Sequence, residues 1–149
     1  MLEPRKRRSR NWILVLLRLQ ALCFPAAAWG SDLTVTVAGI EGGTGQLMVA
    51  IVDGEDAFDG QRAPLLSLLL PPSAKEVTFS TDALPPGDYG VRVMHDVNGN
   101  GEMDENLVGM PTEPWGFSNN AMGSFGPPGW QDVRFTLNDA LRIRIDLNH

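Results

Sequence analysis

A chain of 149 residues with a formal net charge of −6 is long enough for one domain and too acidic for a typical nucleic-acid-binding domain. The first thirty positions hold six of the 12 basic residues and one of the 18 acidic residues, so the remainder has 6 basic and 17 acidic residues and a net charge of −11. We therefore exclude nucleic acid as a partner, because its phosphates would be repelled, whereas cations would be attracted.

Residues 1–30 are typical of a secretory signal peptide. A basic head at 5–10 precedes an apolar run that Arg18 interrupts, and a small-x-small sequence ends it at 28–30. The run is shorter than the ~20 residues of a membrane-spanning helix, although an uncleaved anchor remains an alternative. We expect a periplasmic or secreted protein with one folded domain at 31–149 and no integral membrane span after cleavage. Cleavage would also remove Cys23, the only cysteine, and with it any disulfide or thiolate metal site.

After Leu33, short runs with apolar residues at alternate positions are separated by clusters of Gly, Pro, Asp and Asn, as in half-buried antiparallel strands. The first two runs flank a glycine-rich turn at 42–45, and we interpret them as a hairpin. Seven strands in about 120 residues predict an all-β fold, a single antiparallel β-sandwich with one long ordered loop. The seven runs are 33–37, 47–51, 65–70, 77–79, 89–93, 133–137 and 141–145.

The long loop extends from Asp96 to about Trp130 and exceeds the ~15 residues expected of a structureless connection. Its seven glycines allow tight turns, and its large aromatic residues can bury enough area to order the segment. Trp115, Phe117 and Trp130 are candidates for stacking on a carbohydrate or peptide ligand. The alternative is that they only anchor the loop to the sandwich.

The start of this loop has the ligand spacing of a calcium-binding loop. Oxygen-bearing residues occupy alternate positions, with a glycine at the sixth position, where the chain must turn sharply. The twelfth position is Leu107 instead of a bidentate Glu, so another carboxylate must complete the shell, and the flanking segments are strand-like. A metal-free hairpin turn is the alternative, because Asn-Gly pairs favour turns without any ion. The proposed calcium ligands are Asp96, Asn98, Asn100, Glu102 through its backbone carbonyl, and Asp104.

Four motifs in order resemble an exported bacterial family known as domain of unknown function twenty-one forty-one: LPPGDY at 84–89, HDVNGNG at 95–101, GMPTEPWGFSNN at 109–120 and FGPP at 125–128. The resemblance covers about 33–147 and implies a transthyretin-like or immunoglobulin-like sandwich outside the cytoplasm, with no established activity. The Pro-Pro-Gly-x-Tyr step also resembles prealbumin-like modules.

Three hypotheses of function follow. The first is a non-enzymatic module, braced by calcium, that binds an unidentified ligand at the cell envelope or outside the cell. The second is a carbohydrate- or peptide-binding domain that uses the loop aromatics. The third is a hydrolase in which His95 acts with Asp96 or Asp104 on a metal-bound water, for which the sequence offers few convergent groups. We expect no enzymatic activity.

Overall fold

The computed structural model describes residues 30–149, so the signal peptide predicted at 1–30 lies, apart from Gly30, outside the described residues. Eight strands, two one-turn helices and one 3₁₀ turn make up the domain. The strands are β1 Ser31–Ala38, β2 Gln46–Val52, β3 Leu66–Leu70, β4 Glu76–Leu84, β5 Gly87–Asp96, β6 Trp115–Phe117, β7 Phe135–Leu137 and β8 Leu141–Asp146. The helices are α1 Glu55–Phe58 and α2 Trp130–Val133, and the 3₁₀ turn is Ser118–Asn120. Within residues 30–149, no helix is both long and apolar enough to cross a membrane.

The strands form two sheets, which confirms the predicted all-β sandwich. The smaller sheet has the order β4-β1-β8, and the larger has the order β3-β2-β5-β6, with β7 also paired to β5. The predicted hairpin is wrong, because β1 and β2 belong to different sheets and the turn at 42–45 connects the two layers. One pairing also departs from the antiparallel pattern: β1 runs parallel to β8, with Leu33 opposite Leu141 and Val37 opposite Ile145.

The core lies between the two sheets and is built from the alternating apolar positions of β1, β2, β5 and β8. Leu33, Val35 and Val37 on β1 are completely buried, and Leu47 and Ile51 face them from the larger sheet. Burial of a side chain of this size stabilises the fold by about 1.5–3 kcal/mol, which makes these alternating strands the main source of stability.

A second apolar cluster fills one end of the sandwich, outside the main core. Trp130 and Val133 of α2 pack there with Phe58 of α1 and Val52 at the end of β2. Gly90 permits this packing, since a Cβ at that position would lie 2.8 Å from the Trp130 indole. The prediction of a strand beginning at Val133 is therefore wrong by two residues, because Val133 ends α2 and β7 begins at Phe135.

The polar 3₁₀ turn at Ser118–Asn120 joins β6 to this end of the domain. The Ser118 hydroxyl, which is completely buried, accepts a hydrogen bond from the Val91 N–H at 2.9 Å and donates one to the Val133 carbonyl at 2.6 Å. Asn119 adopts a left-handed backbone with φ 61°, and its amide donates to the carbonyl of Arg134 at 3.0 Å. These bonds satisfy backbone groups of β5, of α2 and of the residue that follows α2.

Candidate functional site

The outer face of the larger sheet is unusually apolar for a surface. Cross-strand pairing places Leu69, Met48, Met94 and Trp115 in one row across β3, β2, β5 and β6. A second row, one pair further along the strands, contains Ser67, Ala50, Arg92 and Phe117. Directly opposed side chains in such rows lie about 4.5–5.5 Å apart at Cβ, so the two rows form a continuous surface.

Two loop segments, at 103–111 and 122–127, lie beside this face and enclose a groove with a volume of about 870 Å³. The volume is within the range of ligand-binding pockets, which are also mostly apolar. All five methionines of the described residues line it, and we call it the methionine groove. Its lining includes Met48, Met94, Met103, Met110, Met122, Leu69, Arg92, Glu105, Val108, Trp115, Phe117 and Phe125.

One wall of the groove is a short hairpin at 105–111. Glu105 and Pro111 form an isolated antiparallel bridge, and the Asn106 side-chain oxygen accepts hydrogen bonds from the N–H groups of Val108 and Met110. The hairpin projects Leu107, fully exposed, and Val108, 82% exposed, into solvent. The wall therefore presents apolar side chains that nothing else in the described chain covers.

The three aromatic residues predicted to contact a ligand do not lie on one surface. Trp115 and Phe117 are half-buried on the outer face of β6, with ring centroids 5.5 Å apart, and both line the groove. Trp130 is 8% exposed and packs against Phe58 in the second cluster. Trp130 therefore anchors the loop, as the alternative interpretation has it, and only Trp115 and Phe117 are available to a ligand.

The Asp-Asn loop, residues 96–104, begins where β5 ends and leads into the groove wall. Asp96 is completely buried, and its carboxylate accepts hydrogen bonds from the N–H groups of Gly99, Asn100 and Gly101 and from the Gln46 amide at 2.9 Å. The Gln46 bond and then these N–H groups lower the pKa of Asp96, against the opposing effect of burial. Asp96 is thus an ionised centre around which the loop folds.

The other predicted metal ligands surround this turn. The Asp104 carboxylate accepts hydrogen bonds from the side-chain amides of Asn98 and Asn100, while the oxygens of those amides accept the N–H groups of Asn100 and Glu102. Four of the predicted side chains therefore lie in one connected network, and the Glu102 side chain is exposed. The donor set consists only of oxygens, which suits a hard cation such as calcium.

A buried glutamate that the sequence analysis did not single out closes the loop. Glu113 is 5% exposed, and its two carboxylate oxygens accept the N–H of Val97 at 2.8 Å and the N–H of Asp104 at 3.3 Å. It thereby joins both ends of the loop. Gly45 supports the same region from the preceding turn: its φ is 77°, and a Cβ there would lie 2.0 Å from the Asp96 carbonyl.

Within residues 30–149, no three His, Cys, Asp or Glu side chains are grouped so that they alone could hold a metal ion. Calcium at the Asp-Asn loop would therefore depend on the asparagine and backbone oxygens as well. An amide rotation would direct the Asn98 and Asn100 oxygens at the ion, and such rotations exchange atoms of nearly equal size.

His95 lies on the opposite side of β5 from the groove. Its side chain is completely buried, and Nε2 donates a hydrogen bond to the carbonyl of Thr44 at 2.9 Å. The imidazole faces the core while the neighbouring Met94 and Arg92 face outward. A general base must reach the reacting proton, and this placement directs His95 away from the groove.

The fold and the site together define a β-sandwich with an apolar groove on its larger sheet and an acidic turn at the groove's edge. The chain belongs to the bacterial family described as "Uncharacterized protein conserved in bacteria (DUF2141)", whose model matches residues 35–144. The resemblance noted from the four motifs is thereby confirmed. Searches of curated proteins and of solved structures gave no significant match.

Proposed function

We propose that this protein is an exported, non-enzymatic binding module that takes an apolar ligand into the methionine groove at the cell envelope. The groove is the observation that carries the proposal: about 870 Å³ of apolar space, floored by a rigid sheet and walled by two loops. Methionine side chains are flexible and polarisable, so a surface rich in them can adapt to ligands of varied shape.

Calcium has a structural role in this proposal. The Asp-Asn loop leads directly into the groove wall, and a cation bound by Asp96, Asn98, Asn100, Asp104 and the Glu102 carbonyl would fix that wall over the sheet. The high acidity of the domain favours cation binding, and the network around Asp96 has already brought four of the side chains together.

A carbohydrate or peptide is the second candidate ligand. The tilted Trp115–Phe117 pair, at 5.5 Å between centroids, supports it because such a pair offers an aromatic surface for sugar rings or apolar side chains. A hydrolase is not proposed, because His95 is buried against Thr44 and faces away from the groove.

Binding can be tested with Nile red, a neutral dye that fluoresces in apolar surroundings. We expect saturable fluorescence with the purified protein and about tenfold weaker binding for Met48→Gln, which places a polar amide on the groove floor. The matched control is Leu107→Gln, which removes an exposed apolar side chain from the same region without changing the groove lining. Equal effects of the two substitutions, or no saturable binding, would contradict the proposal.

The calcium role can be tested by thermal unfolding in excess chelator, in calcium and in magnesium. At a calcium concentration 100-fold above Kd, mass action stabilises the folded state by about 2.7 kcal/mol and should raise the Tm by several degrees. Asp104→Ala should abolish the increase, whereas Asp59→Ala, on a separate exposed loop, should retain it. Coincident unfolding curves in all three solutions would show that the Asp-Asn loop is a metal-free turn.

A further inference from the structure

Among residues 30–149, Arg92 is the one cation on the floor of the methionine groove. It is half-buried on the outer face of β5, the central strand of its sheet, with Ala50 and Phe117 as its direct cross-strand neighbours. Its guanidinium donates one hydrogen bond, from a terminal nitrogen to the carbonyl of Phe58 at 3.0 Å. An arginine has five N–H donors in a fixed fork, so most of the Arg92 donors have no partner among residues 30–149.

This arginine also differs from most others in the domain in its electrostatic surroundings. Arg62, Arg134 and Arg144 each form a salt bridge with at least one carboxylate at 2.8–2.9 Å, whereas no carboxylate in residues 30–149 lies within 4.0 Å of the Arg92 guanidinium nitrogens. A cation that is partly removed from water is stabilised most strongly by an anion in the same low-dielectric environment. In a domain with 17 acidic residues after position 30, the lack of such a neighbour leaves room for an anion from a ligand.

Arg92 lines two cavities. Besides the methionine groove, a second cavity of about 550 Å³ is lined by Phe58, Asp59, Arg92, Phe117, Pro127 and Pro128. The two acids that line these cavities, Asp59 and Glu105, are both exposed. Arg92 itself is half-buried, so the cation is more shielded from water than either acid.

The apolar row beside Arg92 has the length of an alkyl chain. From Leu69 to Trp115 the row crosses three strand spacings, about 14 Å, which corresponds to an extended chain of about twelve carbons. Leu69 is 64% exposed, so the row offers a large apolar surface to a ligand. A ligand with one anionic group beside Arg92 and an apolar chain along this row would contact both the cation and the apolar surface.

We propose that the methionine groove binds a monomeric amphiphile that has one carboxylate and an apolar chain, with the carboxylate paired to the Arg92 guanidinium. The inference rests on the proposed function and adds to it the class of ligand and the residue that recognises it. A guanidinium pairs with a carboxylate through two parallel hydrogen bonds, a geometry that a hydroxyl cannot reproduce.

The test compares dodecanoate with dodecanol, both below their micelle concentrations, by displacement of Nile red from the purified protein. We expect dodecanoate to bind about 10-fold or more tightly than dodecanol, as a charge-assisted pair requires. Arg92→Gln should weaken dodecanoate binding about tenfold more than dodecanol binding and thereby remove the preference, and Arg92→Lys should retain part of it. Arg142→Gln is the matched control, since this exposed arginine lies on β8 in the other sheet and forms no salt bridge with described residues.

The outcomes separate this inference from the proposed function. If Nile red binds but both amphiphiles bind with equal affinity, or Arg92→Gln weakens both equally, apolar binding in the groove is retained as the proposed function. The inference that Arg92 binds the carboxylate is then wrong. If neither the dye nor either amphiphile binds, the proposed function itself fails. Co-sedimentation with vesicles of anionic phospholipid, without binding of monomeric dodecanoate, would overturn the inference in favour of a membrane surface. Thermal unfolding of Arg92→Gln and Arg92→Lys confirms that each variant is folded before binding is measured.

Discussion

The backbone N–H of Val97 donates a hydrogen bond of 2.8 Å to the Glu113 carboxylate, sixteen residues later in the chain. The second Glu113 oxygen accepts the N–H of Asp104, so one side chain holds both ends of the Asp-Asn loop. This arrangement fixes the point from which the groove wall rises, and the shape of the wall therefore depends on a residue that does not itself line the groove.

Glu113→Gln should loosen the Asp-Asn loop without unfolding the sandwich. A glutamine has one oxygen acceptor, so its NH₂ group would face one of the two N–H donors and leave it unsatisfied. We expect amide hydrogen exchange at 97–112 to accelerate about tenfold or more, while exchange in β1 and β5 is unchanged. Mass spectrometry of exchanged peptides measures this, with the exposed Glu105→Gln as control. Unchanged exchange at 97–112 would show that Glu113 does not hold the loop.

The pKa shift of Asp96 predicts an acid-sensitive fold. Because its pKa is lower in the folded protein than in the unfolded chain, its stabilising effect is complete above about pH 4 and is lost as the pH falls through the folded-state pKa. Asp96→Asn should lower the Tm by about 10 °C at pH 7, since the amide would face N–H donors. The difference in Tm from wild type should be constant down to about pH 4 and narrow as the pH falls further. A difference that is independent of pH would contradict this assignment.

Replacement of two tryptophans of the long loop should lower stability by clearly different amounts. Trp130→Ala leaves a cavity between Phe58 and Val133 and should cost about 3–5 kcal/mol of unfolding free energy. Trp115→Ala removes a half-buried ring from the sheet surface and should cost about 1 kcal/mol. Denaturant unfolding gives both values, and Nile red binding should be weakened by Trp115→Ala. Equal losses of stability would mean that Trp115 also belongs to the core.

Ser118→Ala should destabilise the domain by about 2 kcal/mol, because the buried Val91 N–H and Val133 carbonyl would both lose their partner. Denaturant unfolding measures the change, and Ser73→Ala, at an exposed position, should have almost no effect. If the two alanine variants are equally stable, the Ser118 hydroxyl does not link β5 to α2 as its geometry indicates.

Alternating apolar residues predict the strands well where one face of the strand is buried. The 33–37 run became β1, and Leu33, Val35 and Val37 are all completely buried. The same pattern fails for β6, because a three-residue strand with a glycine at its centre is too short to show a period. The sequence does not distinguish the β1–β2 connection from a hairpin, because glycine-rich turns serve hairpins and sheet-to-sheet connections alike.

The Asp-Asn loop could be predicted because its residues are neighbours in sequence, whereas the groove could not. Met48 and Met94 are 46 positions apart in the sequence, and only the β2–β5 register places them opposite each other. Glu113 was part of a recognised motif, but its contacts with Val97 and Asp104 depend on the path of the intervening hairpin. Sequence spacing reveals local chemistry, and strand register decides which distant residues share a surface.

The position of β1 has a consequence for how the chain acquires its structure. The first strand lies between β4 and β8, so the smaller sheet cannot form completely until the final strand, Leu141–Asp146, has been synthesised. Pairing the first and last strands demands contacts across almost the whole domain, which slows folding. A chain built in this way completes its smaller sheet last, after all strands of the larger sheet are available to pair.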